Sequence, residues 1–203
     1  MMEEKVLSEK ESLELIAKMI ANTKQNLRVG SGNQFILWGT LGAIVSLVVM
    51  TALTWTGNPA CNWLWFLIPL IGWPLMMWQL RREQKPVVTY TDKALTAVWR
   101  AIGSMGMAGV FLLSIQSRNM GLMLPGVLIL MCIGVFISSE LLRNRLMAWM
   151  SAVSLLLCIV SGVRILREGM ADVWWMDHIV FSLCFVLMLV IPGCRLNKEA
   201  RHV

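Results

Sequence analysis

Charge is what this chain lacks, and the gaps are long. Only 15% of its 203 residues are Asp, Glu, Lys or Arg, against about 25% in soluble proteins. No Asp, Glu, Lys, Arg or His falls within Phe35 to Trp55, Trp63 to Leu80, Ala101 to Gln116, Met120 to Ser139, Leu146 to Val163 or Ile179 to Cys194. A bilayer core about 30 Å thick needs ~20 mostly apolar residues per spanning helix. Six such segments exclude an ordinary water-soluble fold.

Catalytic patterns are missing as well. There is no His-Glu-x-x-His, no Gly-x-Ser-x-Gly and no phosphate loop, which are the local signatures of zinc proteases, serine hydrolases and P-loop enzymes. The middle of every apolar segment is free of Asp and Glu, where a proton-coupled transporter would place them. No enzyme activity, cofactor or metal is expected. The cysteines Cys61, Cys132, Cys158, Cys184 and Cys194 form no Cys-x-x-Cys pair, so neither zinc nor redox chemistry is indicated and the buried ones read as small packing residues. The first 34 residues are charged and lack the apolar core of a cleavable signal, so the first apolar segment is expected to serve as an uncleaved anchor.

What is present is 57% hydrophobic residues and a formal net charge of +6. The basic residues flank the apolar segments, which is the pattern of topology determinants and not of nucleic-acid contact. With the N-terminus cytoplasmic, the inner side holds Lys5, Lys10, Lys18, Lys24 and Arg28, then Arg81, Arg82, Lys85 and Lys93. It also holds Arg143, Arg145, Arg195, Lys198 and Arg201. Only Arg118, Arg164 and Arg167 fall outside, with Arg100 inside the third span. Tryptophan agrees. Trp55, Trp63, Trp65, Trp174 and Trp175 lie at outer ends and Trp38, Trp78, Trp99 and Trp149 at inner ends, the levels of the aromatic belts.

The expected fold is all-α. Residues 1–33 make a cytoplasmic amphipathic helix and linker, 34–194 a six-helix transmembrane bundle, and 195–203 a short basic cytoplasmic tail. The spans are expected at about 35–55, 63–80, 95–116, 120–139, 146–165 and 175–192. Ser8 and Glu11 match a capping box, and Gly30 and Gly32 read as the stop of this first helix. Leu13, Ile16, Ile20 and Leu27 then share one face. That stripe needs a cover: the protein's own bundle, the membrane surface, a cytoplasmic partner, or a second copy of the chain.

Three further sets stand out. Pro69, Gly72 and Pro74 interrupt the second span as prolines do by removing backbone hydrogen bonds; they mark either a packing kink or a transport site. Gly103, Gly106 and Gly109 form a small-residue stripe on the third, suited to internal packing or to a homodimer. Arg100 and Glu140 lie within about 5 Å in depth across the third hairpin, counted from its turn, and are expected to pair at the inner boundary. In the outer segment, Arg164, Arg167, Glu168, Asp172, Asp177 and His178 are expected to form a solvated, ion-paired loop and not a metal or proton sensor. Thr91 and Asp92 are expected to cap the third span, and the sixth is expected to stop at Pro192-Gly193.

Several stretches also carry a resemblance. Glu11 to Ile16 with Met19-Ile20 and Asn22-Thr23, Trp38-Gly39, Phe66 to Pro74, and Ile191-Pro192-Gly193 with Leu196-Asn197 resemble uncharacterised multipass inner-membrane proteins of Bacteroides-type gut bacteria. The resemblance runs along most of the chain. It implies a helical bundle and no catalysis. Because members of such groups look like operon companions of small winged-helix regulators, it also implies a signalling partnership with such a transcriptional regulator. It transfers no binding residue. The family's ending is similar to Pro-Gly-His-x-Leu-Asn, and Cys194 stands here in place of the histidine. The function expected overall is that of a regulatory, scaffolding or signalling partner in the inner membrane. The alternative is a small transporter or channel using the second span.

Overall fold

In hydrocarbon every backbone N–H and C=O must be satisfied within the segment that carries it, and the α-helix does this locally. The computed structural model describes residues 13–14, 31–82, 90–116, 122–168 and 174–201, and none of these is in a strand. Among the described residues, six helices are long and apolar enough to cross a membrane: Gly32–Thr56, Pro59–Arg82, Tyr90–Gln116, Met123–Leu142, Arg145–Arg167 and Trp174–Glu199. They are referred to as spans 1 to 6.

Span 2 opens with a 3-10 stretch, Pro59–Phe66, before its α-helix at Leu67–Arg82. Asn58 caps it, accepting from the Ala60 N–H at 2.9 Å. At the far end Arg82 folds back over the Trp78 ring, 3.8 Å from its centre, as a basic group does when it reaches for the interface.

Several boundaries differ from expectation. Gly32 does not stop a helix; it lies inside Ser31–Thr56, where an added Cβ would sit 2.5 Å from the Gly193 carbonyl oxygen. Its smallness serves a close helix crossing. Thr91 and Asp92 do not precede span 3 but occupy its first turn, since the helix starts at Tyr90. Span 6 does not end at Pro192: the helix continues through Ile191–Arg201, so residues 195–201 are helical. Pro192 lacks an N–H and its ring crowds the carbonyl four residues back. A π turn at Val186–Val190 lies just before it, and that wider winding lets the helix accept the ring. Of the expected amphipathic N-terminal helix, the described residues include only Leu13 and Glu14, both helical with Leu13 exposed; two residues do not support a helix of that length, and Ile16, Ile20, Leu27 and Gly30 lie outside the described residues.

The six spans are not equivalent. Spans 1, 4, 5 and 6 have 39%, 39%, 28% and 50% of their most apolar window buried, and spans 2 and 3 only 6% and 11%. Spans 1, 4, 5 and 6 therefore build the core, and spans 2 and 3 lie outside it. Phe35 and Ala43 meet Leu128, Cys132 and Val135 of span 4, Met147 and Cys158 of span 5, and Phe181, Phe185 and Met188 of span 6. All five cysteines are free thiols.

Span 1 meets span 6 along Gly32, Gly39, Gly42 and Ser46, all buried. The spacing of seven from Gly32 through Gly39 to Ser46 keeps one stripe of a helix on its neighbour. A Cβ at Gly42 would fall 2.4 Å from the Phe185 ring, and one at Gly39 would fall 2.7 Å from the Leu189 Cβ. With no water to expel between lipid-soluble helices, dispersion and hydrogen bonds carry the association, and small residues allow both. Ser46 Oγ donates to the His178 carbonyl at 3.0 Å and Ser182 Oγ donates to the Ala43 carbonyl at 2.9 Å.

Span 3 packs on span 4. Gly106 faces Leu130, Gly126 faces Val110, and Gly134 faces Ile102 and the Trp99 ring. A Cβ at Gly103 or Gly109 would meet nothing within 4 Å, so the expected small-residue stripe is divided. A π turn at Ile102–Gly106 adds a residue and shifts the register. The tryptophans divide in the same way. Trp55, Trp63 and Trp149 are exposed at helix ends, whereas Trp99 turns inward, with its ring 5.9 Å from Phe35 and its Nε1–H donating to Ser138 Oγ at 3.2 Å.

Candidate functional site

Most polar side chains buried in the bundle are hydroxyls tied to a backbone carbonyl. One group is different. At the end of the bundle away from the contact between Gly32 and Asn197, spans 5 and 6 bring Ser161, Arg164, Asp177 and His178 together. Ser161 and Arg164 are three residues apart on span 5 and so share a face. Asp177 and His178 lie in the first turn of the helix Trp174–Phe185, where the helix dipole favours a carboxylate.

Both carboxylate oxygens of Asp177 are engaged. Its Oδ1 accepts from Ser161 Oγ at 2.6 Å, and its Oδ2 accepts from Arg164 Nη2. Asp177 and His178 are only 6% and 7% exposed, so the pair works in a low-dielectric setting, where charge–charge attraction is strong and desolvation is costly. The other guanidinium nitrogen, Arg164 Nη1, is buried without a protein partner. His178 Nδ1 lies 3.3 Å from the Trp174 carbonyl of its own helix. Its ring sits between Trp174, centroid 5.5 Å away and edge-on, and Trp65, centroid 6.1 Å away. Trp65 belongs to the 3-10 entry of span 2 and also meets Phe181 edge-on at 5.3 Å. The 3-10 segment thus packs against His178 through Trp65.

The expected solvated loop is therefore corrected. Arg164 and Asp177 do pair, but both lie in helices and the contact is part-buried, with Arg164 20% and Asp177 6% exposed, because span 5 extends as helix through Glu168. Arg167 is exposed nearby, and Asp172 lies outside the described residues. Chemically the group is a charge-compensated clasp: one carboxylate, one guanidinium and one hydroxyl hold each other, and no hydrogen bond joins His178 to Ser161. No three His, Cys, Asp or Glu side chains among the described residues are grouped as a metal site.

The other residues singled out from the sequence are dispersed. Arg100 and Glu140 are both exposed, and no ion pair joins them; ion pairs that do form within the described residues include Arg164–Asp177 and Arg195–Glu199. Matching depth along two helices leaves their rotation free, and these two side chains do not meet. Pro69 and Pro74 are exposed, and Gly72 is buried. A Cβ at Gly72 would lie 2.6 Å from the Trp38 ring, so Gly72 is the contact by which span 2 rests on span 1. Leu13 shares no described element with Ile16, Ile20 or Leu27, which lie outside the described residues. The clasp and the span 1 seam were not assembled from the sequence. The seven-residue spacing of Gly32, Gly39 and Ser46 is a signal that could have revealed the seam.

No protein-family model, curated protein or solved structure matches this chain.

Proposed function

We propose that this chain is a non-catalytic integral membrane protein that acts as a regulatory or scaffolding partner, with both chain ends in the cytoplasm of a bacterium. The observation that carries the proposal is the division of the bundle. Four spans close on each other around an apolar core, while spans 2 and 3 are only 6% and 11% buried. Two helices so placed offer a broad intramembrane face, with Leu70, Trp73, Phe111 and Leu112 exposed on it. The orientation is supported by the excess of Lys and Arg on the side proposed to be inner.

The amphipathic segment 8–29 is the second docking element in this proposal, offering Leu13, Ile16, Ile20 and Leu27 to a cytoplasmic protein such as a small transcriptional regulator. The exposure of Leu13 supports it. A second copy of the chain is the competing occupant of the span 3 face, because Gly103 and Gly109 open onto unfilled space.

Photo-crosslinking in native membranes tests the proposal. A benzophenone side chain at Leu70 or Phe111 should yield a protein adduct of defined mass, whereas one at Ile159 on span 5 should not. Deleting residues 1–29 should remove adducts to a cytoplasmic partner. Lipid adducts alone at all three positions would overturn the proposal.

A further inference from the structure

We propose that a cleft at the end of the bundle where Gly32 meets Asn197 binds a phosphate-bearing anion of the kind an anionic phospholipid headgroup presents. The cleft measures ≈ 510 Å³. Arg143, Asn144 and Arg145 line it from the turn joining spans 4 and 5, Trp149 from the next turn of span 5, and Arg195 and Glu199 from the end of span 6.

Three arginines and one glutamate leave the cleft with a formal surplus of two positive charges. Arg195 Nε donates to Glu199 Oε1 at 3.0 Å, which uses one of the five N–H groups of that guanidinium. Arg143 and Arg145 are exposed and make no ion pair among the described residues. Like charges gathered from two separate elements repel, and an anion between them removes the repulsion. Guanidinium groups suit phosphate in particular, because their planar fork matches two of its oxygens.

The backbone at the cleft is also unusual. Arg143 has φ 52° and ψ 42° and is the sole non-glycine residue with positive φ among those described. Its N–H bonds the Glu140 carbonyl and that of Asn144 bonds the Ser139 carbonyl, a helix ending that glycine normally makes. An arginine held in this conformation puts a strained backbone at the cleft, and strain of that kind concentrates at functional sites. Asn144 fixes the next step by accepting from the Leu146 and Met147 N–H groups at 3.1 and 3.3 Å. The span 5 helix, 24 residues long, thus begins at the cleft with its first N–H groups capped by Asn144, and its dipole adds to the positive field there. Trp149, exposed beside it, stands where an interfacial indole would flank a lipid. Topology determinants require only the correct side of the membrane. Arg81, Arg82 and Lys93 meet that need without lining this cleft.

Native mass spectrometry and thermal unfolding of the full chain in detergent test the site, with added phosphatidylglycerol, phosphatidylcholine or inorganic phosphate. The wild type should retain and be stabilised by phosphatidylglycerol and not phosphatidylcholine. Arg145→Gln should weaken binding about fivefold, and Arg143→Gln/Arg145→Gln/Arg195→Gln about a hundredfold, on the scale of one basic side chain near an anionic surface. The control Arg81→Gln/Arg82→Gln/Lys93→Gln should bind as the wild type does. Protection of the wild type, but not of Arg145→Gln, by inorganic phosphate alone would show the same site filled from a soluble source. Undiminished lipid binding by Arg145→Gln, or an equal loss in the control, would overturn the proposal; Arg145 is exposed, so that single variant keeps the test open if the triple variant fails to fold.

Discussion

Asp177 is the side chain on which the clasp depends. It accepts from Ser161 and Arg164 at once while itself buried; removing one partner of a fully buried ion pair costs about 3–5 kcal/mol, which is the upper bound here because Arg164 is 20% exposed. Asp177→Asn should therefore lower thermal stability in detergent by that order, because Arg164 would be left charged and unpaired. Arg164→Met combined with Asp177→Leu should recover most of the loss, giving a large coupling in a double-mutant cycle. Additive losses would show that the two groups do not act together. Arg143 makes the opposite case. Its left-handed backbone costs a non-glycine residue roughly 1–2 kcal/mol, so Arg143→Gly should raise the unfolding temperature. A fall in that temperature would argue that the side chain makes contacts worth more than the strain. The charges of the clasp were readable as residues, and so was their tendency to pair. Their burial was not, because helix ends within a charged segment cannot be located by charge alone.

Spans 1 and 6 depend on each other through small residues. Gly42→Leu would drive a branched side chain into the Phe185 ring, already 2.4 Å from the position of a Cβ. Overpacking of a well-filled core costs about 1–3 kcal/mol or more, so Gly42→Leu should reduce folded yield in detergent. Gly109→Leu should leave the isolated monomer unaffected, since nothing lies within 4 Å of a Cβ there. Equal damage from both substitutions would contradict this arrangement of spans 1, 3 and 6. Both π turns belong to the same level of organisation. The one at Val186–Val190 carries span 6 past Pro192, and the one at Ile102–Gly106 divides the glycines of span 3. Proline and glycine mark such places in a sequence, yet they do not say whether the helix stops, bends or rewinds, since neighbouring helices decide which backbone groups can be re-satisfied.

The molecule has two faces that thiol chemistry can tell apart. Cys61 lies in the 3-10 entry of span 2 and Cys194 near the far end of span 6, whereas Cys132, Cys158 and Cys184 are buried between spans 4, 5 and 6. Cys158 Sγ lies 3.2 Å from the Pro125 carbonyl. A membrane-impermeant maleimide should label Cys61 in intact cells, reach Cys194 only after permeabilisation, and leave the other three unmodified until the protein unfolds. Labelling of Cys194 from outside would reverse the proposed orientation, and rapid labelling of Cys184 in the native protein would contradict the packed core.

Length and hydrophobicity sufficed to identify six helices able to cross a bilayer, because hydrocarbon imposes on each segment a condition that it must meet alone. The uncharged runs around Val49, Val135 and Phe185 satisfy it without reference to the rest of the chain. Which way a helix turns about its own axis depends on its neighbours. The inward Trp99, the exposed Arg100 and Glu140, the covered Gly72 and the buried Asp177 were settled only when the spans packed together. Sequence position gives depth along an axis, whereas contact also requires the angle around it and the nearness of another helix.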